Sequence, residues 1–493
     1  MNVQGKPNQQ PLRFPLRAPR IPSPEPIVQI EIAQGVNDLA AMPRDFAAAF
    51  ESLTAIEGRV SAQMIEVFTL LTSLGARNIY NAFGPPPLGL DEVLSAEEKV
   101  SRGRLFHVVF APGTDLKSMS REILLRSNKL VTRAAALPAD SPPHLPDDPL
   151  VGTSDHDVDK QWYLFRCRAP RAWELATGSG VVIADVDWGC RITHQDLTNI
   201  EPRKAYNSHD GSNDVTHGKH VSHGTAVLGQ AGAARNHLGI VGFAPNAALW
   251  PIQAVSSSID KRMPGTAWAR GIDYVLASRD PRRKVVIIEN QSGRGRNIEQ
   301  EYALNLAIQQ GIAHGLVIVV AAGNGGADVS LDDHNHKIPY TGSILAGSTD
   351  YHPYLNVRAC SSNFGDRLTV SAPGDGAHDV TCNSTNDASY RSGFGGTSGA
   401  AGKVGGVCAQ ILEIDPSLTH REVKQILEIT GDDVVTPTSR PAGVFLDAYP
   451  AVRMAQYQSQ RTTEAANSRR SRGHSAGQGQ VSAGSEAGIG SER

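Results

Sequence analysis

Ser398 stands in the run Gly396-Thr397-Ser398-Gly399-Ala400, ahead of a small-residue stretch that reads as a helix. A serine on a tight turn at a helix start is well placed to attack a substrate. Glycine lets the two backbones approach closely, and the helix N-terminus supplies partial positive charge and unpaired N–H donors. Serine alone is a poor nucleophile, so this chemistry needs a base and an acid that orients the base. His223, in Ser222-His223-Gly224-Thr225, and Asp187, in Asp185-Val186-Asp187-Trp188-Gly189, are upstream residues of those types. Taken singly, each has a plain alternative: a strand-ending Asp as a turn former, a lone His as a structural residue, a Gly-Thr-Ser loop as coincidence. The order Asp, His, Ser, each in its expected context, is what carries the signal.

Such residues need a frame. Strand-like runs at Val181–Asp187, Ala248–Val255, Lys284–Asn290 and Leu316–Gly323 alternate with helical patterns after His223, from about Thr266, and over roughly 298–314. Trp268, Ile272, Val275 and Leu276 share one face of the second helix, with Thr266 placed to cap it. Continuous apolar strands alternating with amphipathic helices predict an α/β architecture with a mainly parallel sheet covered on both faces. Ligands bind such sheets at the carboxyl ends of strands, where Asp187 and Asn324 fall.

Around this body, residues 1–45 are expected to be a disordered N-terminal segment, rich in Pro and Gln at its start. Residues 46–137 read as a small α+β unit. A helix is expected over Ser61–Leu74, a strand over Leu105–Ala111, a helix through Leu116, Met119 and Ile123, and a strand over Lys129–Ala136. Residues 138–157, with five prolines between 138 and 149, read as an exposed linker; 158–455 as the main body; 456–493 as a disordered tail.

Across roughly residues 158 to 452 the chain resembles the subtilases, the subtilisin-like serine proteases. The acid segment is Val182-Ile183-Ala184-Asp185-Val186-Asp187-Trp188-Gly189, followed by His194-Gln195-Asp196-Leu197. The base segment His223-Gly224-Thr225 continues into Gly239-Ile240-Val241-Gly242-Phe243-Ala244-Pro245, Ala321-Ala322-Gly323-Asn324-Gly325 resembles the oxyanion segment, and Ser361–Gly365 with Ala372-Pro373-Gly374 fits the stretch before the serine. The resemblance implies a three-layer α/β/α subtilisin-like fold and a serine endopeptidase with Asp187, His223 and Ser398 as its triad and Asn324 as an oxyanion donor. Asp185 lies on the same strand face as Asp187 but deeper in the sheet, and is expected to be a buried structural carboxylate.

The resemblance also implies that Gln291, Ser292 and Gly293 lie where substrate backbone adds as a strand. The chemistry requires no cofactor. Asp196 and Asn236 match calcium-ligand positions of some relatives, with loop carbonyls near Ala234, Leu238 and Ile240; two side chains fall short of the about six to eight oxygens calcium takes, so a structural Asp and a loop Asn are the plain alternative. The unit ahead of the linker is placed like a propeptide that inhibits the body in cis, against the alternative of an unrelated interaction domain. Trp188 replaces the family's Ser or Thr, Gly402 its proline four residues after the serine, and Gly405 is also off-pattern. A looser helix follows from glycine's poor helix propensity, and a catalytically weak peptide-binding relative is the rival reading. A dinucleotide-binding enzyme would need a Gly-x-Gly-x-x-Gly directly after the first core strand, which the chain lacks.

The resemblance implies protein or peptide substrates, and composition adds no case for nucleic acid or a membrane. A formal net charge of −3 over 493 residues gives no electrostatic case for nucleic acid or an anionic membrane. No apolar run reaches the roughly 18 residues of a spanning helix, and the N-terminal stretch does not read as a secretory signal, so localisation stays open between the cytoplasm and another export route. Five scattered cysteines form neither a disulfide framework nor a zinc pattern.

Overall fold

The computed structural model of the chain describes residues 27–32, 62–76, 78–81, 105–110, 115–136, 145–218, 220–254 and 265–460. Among the described residues, the N-terminal elements are β1 (Ile27–Ile32), α1 (Ala62–Ser73), β2 (Asn78–Asn81), β3 (Leu105–Val109), α2 (Leu116–Arg126) and β4 (Val131–Ala136). The strands form one antiparallel sheet in the order β2-β3-β1-β4. Val28 and Ile30 of β1 pair with Val108 and Phe106 of β3, and these buried residues meet Val67 and Leu71 of α1 and Ile123 of α2.

The small α+β unit is therefore present, but it begins earlier than residue 46. Strand β1 falls within the stretch expected to be disordered. Its alternation of Val28 and Ile30 with Gln29 and Glu31 is the period-two pattern of a half-buried strand, set among Pro and Gln that hide it.

The body opens with two short helices, α3 (Trp162–Arg166) and α4 (Ala169–Ala172), then β5 (Val181–Asp187), β6 (Tyr206–Asn207), α5 (Val221–Gly232), β7 (Ala248–Gln253), α6 (Gly265–Ala277) and β8 (Arg283–Ile288). It continues with α7 (Tyr302–Ala313), β9 (Val317–Ala321), β10 (Ile344–Asp350), β11 (Val357–Arg358), β12 (Val370–Pro373), β13 (Thr381–Cys382) and β14 (Tyr390–Arg391). Helices α8 (Gly396–Ile414) and α9 (His420–Thr430), strand β15 (Val444–Phe445) and a helix over residues 448–460 complete it. Thr266, expected to cap α6, lies inside its first turn.

The main sheet runs β15-β12-β10-β9-β8-β5-β7-β6. All pairings along that path are parallel, with β11 antiparallel on β10. The chain moves from β5 to β7 on one side and then to β8 on the other. This reversal at β5 opens a crevice at the strand's carboxyl end.

Side-chain alternation sorts the sheet into two faces. Val181 and Ile183 of β5, Val285 and Ile287 of β8, and Val317 and Val319 of β9 pack into the core that holds α5 and α8. Val182, Ala184 and Val186 of β5 pack on the opposite face against α6 and α7. The architecture is the expected three-layer α/β/α one, and the same parity points Asp185 and Asp187 toward α5 and α8.

Helix α8 is buried from Thr397 to Leu412. A Cβ added at Gly402 would lie 3.0 Å from the carbonyl oxygen of Val227 in α5, and one at Gly405 would lie 2.5 Å from Cδ1 of Ile287 in β8. Here the glycines tighten the helix against its neighbours rather than loosening it, because absent side chains allow a closer approach than proline or a larger residue would. Lys403, one turn after Ser398, is fully buried; its Nζ donates to Asp379 Oδ2 at 2.8 Å and to the Gly399 carbonyl at 3.2 Å, and lies over the Tyr163 ring. Asp379 also accepts from Trp162 Nε1 at 3.1 Å, so the pair fastens α3 to α8. Burial pushes the Asp379 carboxyl up to about 6 even with Lys403 pulling it down.

The stretch expected as linker is partly packed. Asp148 and Val151 are buried. Leu150 donates its N–H to the Gly239 carbonyl and accepts from the Gln161 N–H, both at 2.8 Å. The packed body thus begins ahead of residue 158. Residues 456–460 continue the last helix, and the rest of the expected tail lies outside the described residues.

Removing one partner of a buried ion pair strands the other charge. Lys403→Met is expected to destabilise the protein by about 3–5 kcal/mol, with most of that loss recovered in Lys403→Met/Asp379→Asn. Equilibrium denaturation of the wild type, the single and the double variant measures both.

Candidate active site

Asp187 ends β5, where the strand meets the crevice, and is 1% exposed. Its Oδ2 lies 2.6 Å from His223 Nδ1, and its Oδ1 accepts the Trp188 N–H at 2.5 Å. A carboxylate can only accept, so this bond places a proton on Nδ1 and leaves Nε2 as the free basic nitrogen. His223 sits in the first turn of α5. Its ring is flanked by two aromatics edge-on: Trp188 at 4.4 Å between centroids and Phe394 at 5.2 Å. Trp188, the bulky departure beside the acid, packs in turn against Trp268 of α6. It acts as a wall that holds the imidazole and takes no group away from the site.

Ser398 lies in the first turn of α8, where N–H groups have no acceptor within the helix. Gly396, which starts that helix, has φ +64°, a conformation that favours glycine, and an added Cβ there would meet Asn324 Oδ1 at 2.9 Å. The chain turns into α8 directly over the Asn324 side chain. Asn324 Oδ1 accepts from the Thr397 N–H at 3.0 Å and from Thr397 Oγ1 at 3.2 Å, and Thr397 Oγ1 accepts from the Gly323 N–H at 3.1 Å. The loop after β9 and the start of α8 are thus tied together one residue before Ser398.

Gln291 completes this clamp. Its Oε1 accepts from the Asn324 backbone N–H at 2.8 Å and from Asn324 Nδ2 at 3.2 Å. With oxygen on Thr397 and nitrogen on Gln291, the carboxamide has one orientation, and Nδ2 keeps a second hydrogen to donate. The Gln291 side chain, expected along a substrate strand, therefore belongs with Asn324. Residues 291–297 form a tight hairpin, with a bridge between Gln291 and Asn297 and the Ser292 N–H donating to the Arg296 carbonyl at 3.1 Å. Ser292 Oγ donates to Asp333 Oδ1 at 2.8 Å, which anchors the hairpin to a neighbouring loop. Gly293 is exposed at the hairpin, and a Cβ there would meet nothing within 4 Å, so its backbone is open to a chain laid alongside.

Asn363 supports the same loop from below. Its Nδ2 donates to the Ala322 and Gly295 carbonyls at 2.6 and 2.8 Å, and its Oδ1 accepts from the Gly325 and Ala327 N–H groups at 3.0 and 2.9 Å. Neither Thr397 nor Asn363 stood out as functional in the sequence, although both fall within the quoted segments.

Away from this centre, Asp196 and Asn236 are brought near each other by the loop after α5. Asp196 Oδ2 accepts from the Ile240 N–H at 2.8 Å, and Asn236 Nδ2 donates to the Gln195 carbonyl at 2.9 Å. Asp148, which the Pro-rich setting concealed, joins them: its Oδ1 accepts from the Asn236 and Leu238 N–H groups, both at 3.1 Å. Asp148 Oδ2 and Asp196 Oδ1 are both buried without a hydrogen-bond partner within 3.5 Å. Burial pushes the Asp196 carboxyl up to about 6, with Asp148 adding to the rise.

Comparison with known proteins identifies relatives of the chain. Subtilisin of Bacillus pumilus is 29% identical over 260 residues, which cover 52% of this chain and 84% of that relative. Several other subtilisins, such as subtilisin E of Bacillus subtilis, are matched over 61% of their length. Thermitase of Thermoactinomyces vulgaris is 30% identical over 311 residues, 63% of this chain and 99% of that relative. A solved protease of Pseudoalteromonas arctica aligns at 26% identity and a TM-score of 0.49 over 63% of this chain and 99% of its own. A family profile described as "Subtilase family" matches residues 178–463, more than half of the chain. The chain belongs to the subtilases, a family of serine proteases.

Proposed function

We propose that the chain is a serine endopeptidase acting on protein or peptide substrates through Asp187, His223 and Ser398, with Asn324 as an oxyanion donor. The observation that carries this reading is the 2.6 Å bond from Asp187 to His223 Nδ1, which presents Nε2 as the base in a member of this family. Ser398 Oγ would attack the substrate carbonyl carbon while its proton passes to His223 Nε2. Asp187 holds the imidazole in that tautomer and stabilises the imidazolium. The oxyanion would receive hydrogen bonds from Asn324 Nδ2 and the Ser398 N–H. His223 then gives its proton to the leaving amine, and water repeats the sequence to free the acyl group. Substrate backbone adds along the open edge at Gly293.

The unit from β1 to β4 is proposed as an intramolecular inhibitor, separated by self-cleavage between Ala136 and Asp147. A cut after Asp148 would release contacts that hold the loop at 236–238. Wild-type protein should degrade casein and shorten to a mass that begins in that interval, whereas Ser398→Ala should do neither. Peptide binding without turnover in the wild type would favour the rival binding-module reading.

A second expectation concerns the clamp on Asn324. Asn324→Ala should lower kcat by about 10²–10³ with little change in KM, because the donor acts where charge develops. Gln291→Ala should also lower kcat, by about tenfold, and leave KM unchanged, since it removes orientation and not the donor. A rise in KM alone would return Gln291 to a substrate-binding role.

We further propose structural calcium at Asp148, Asp196 and Asn236. Two buried carboxylate oxygens without partners fit a hard cation, which takes oxygen ligands and would fix the loop after α5. Chelation should lower Tm, and Asp148→Asn should remove most of that dependence. The calcium effect should weaken below about pH 6, where Asp196 takes up a proton.

A further inference from the structure

Strand parity brings a third carboxyl to the acid end of the site. Asp185 and Asp187 face α5 and α8 from β5; the register Asp185↔Ile287 and Val186↔Ile288 then sets Glu289, next after β8, beside Asp187. Asp185 and Asp187 are each 1% exposed and Glu289 is 3% exposed, and one oxygen from each lies within 4.8 Å of the other two. Asp187 has its two donors in His223 and the Trp188 N–H. Asp185 Oδ1 and both oxygens of Glu289 are buried and receive no hydrogen bond from an N–H or hydroxyl donor. Helix α5 closes over them with bare backbone: a Cβ at Gly224 would lie 3.2 Å from both Asp185 Oδ2 and Asp187 Oδ2.

Among the described residues, the surroundings offer no compensating charge. From α5 only His223 faces the cluster, and it is bound to Asp187. The segment after β5 contributes the Cys190 thiol, pushed up by burial and by the nearby Asp185 and Asp187. On β7 the nearest polar group is the neutral Gln253, beside Gly189. In α8 the only Lys or Arg is Lys403, held by Asp379. A buried carboxyl with neither donor nor cation keeps its proton instead of its charge.

We propose that Asp185 and Glu289 form a protonated, mutually hydrogen-bonded carboxyl pair behind Asp187, a structural element that leaves Asp187 as the single anion of the cluster. This rests on the reading of Asp187 as the acid that orients His223. Burial above all, with neighbouring carboxylate charge adding to it, drives Asp185 and Glu289 well above their ordinary values of 3.8 and 4.5. An O–H of one carboxyl donates to the other, so the packing around Asp187 stays polar without adding repulsion to its charge. Ionising either member would place a second buried anion against Asp187.

The sign of the linkage is fixed by the raised values. The folded state holds protons that the unfolded chain releases near pH 4, so this contribution to stability is greatest in acid and declines as pH rises toward the folded values. Asp185→Asn/Glu289→Gln makes the pair permanently neutral with little change of shape. In the full chain, the wild type should lose Tm relative to the double variant between about pH 5 and 8. At neutral pH the double variant should retain turnover within about threefold, with the acidic limb of its pH–rate profile unmoved. An acidic limb displaced to lower pH would show that the pair was charged and would overturn the proposal, as would a pH-independent difference in Tm. Loss of one bound metal ion per chain in the double variant, read by elemental mass spectrometry, would overturn it in favour of a cation. If the double variant fails to fold, Glu289→Gln alone carries the same readouts. An inactive wild type would defeat the proteolytic reading, while the Tm series would still decide the state of the pair.

Discussion

The site exists because α8 can lie buried along the sheet with its first turn at the strand ends. A helix start offers N–H donors and partial positive charge only where it is held rigidly against the groups that use them. Here Gly402 and Gly405 bring the helix onto α5 and β8, and Lys403 pins it to Asp379. The tie from Thr397 to Asn324 then sets the position of the first turn. A bulkier residue at Gly405 would meet Ile287, which the sheet cannot move without disturbing β8, and β8 leads into both Glu289 and Gln291. Packing at Gly405 therefore reaches the first turn of α8 and the loop at Asn324 through one rigid rod.

The polar groups around that rod are mostly neutral dipoles in fixed orientations. Gln291, Asn324 and Asn363 are carboxamides; Asn324 and Asn363 are each held from both ends, and Gln291 Oε1 accepts twice from Asn324. Dipoles oriented before the reaction need not reorganise as charge develops, which is the main advantage of such a site over water. Charge is confined to the opposite end, at Asp187, where aromatic rings on both sides of His223 exclude solvent.

Much of this was legible in the sequence, and the reasons differ by residue. Strands β5, β7, β8 and β9 were readable because a parallel sheet covered on both faces leaves near-continuous apolar runs. Asp187, His223, Asn324 and Ser398 stood out because each is a reactive type in a motif at a strand end or helix start. Glu289 went unnoticed: one acid after Val285–Ile288 looks like the end of a strand, and only the cross-strand register sets it beside Asp187 and within reach of Asp185. Asp148 was hidden by prolines that made its segment look exposed, although its partners lie about ninety residues downstream. The contact of the Gln291 side chain with Asn324 was hidden for a related reason. Position along the chain can locate a substrate edge, but whether a side chain turns outward or back onto Asn324 is a matter of tertiary geometry.

Strand β1 has a consequence for how the chain can be divided. It is an inner strand of the small sheet, between β3 and β4, yet it precedes the rest of that unit by a long interval; a hydrogen bond from Thr132 Oγ1 to the Glu31 carbonyl closes a loop of 101 residues. A fragment begun at residue 46 would not merely shorten the unit. It would divide the sheet into the antiparallel pair β2-β3 and a solitary β4, leaving Phe106 and Val108 without the neighbours that cover them and two unpaired edges open to association. Closing so long a loop is also slow relative to local pairing. During synthesis, β1 must therefore wait for more than a hundred residues to emerge before the sheet it belongs to can be completed.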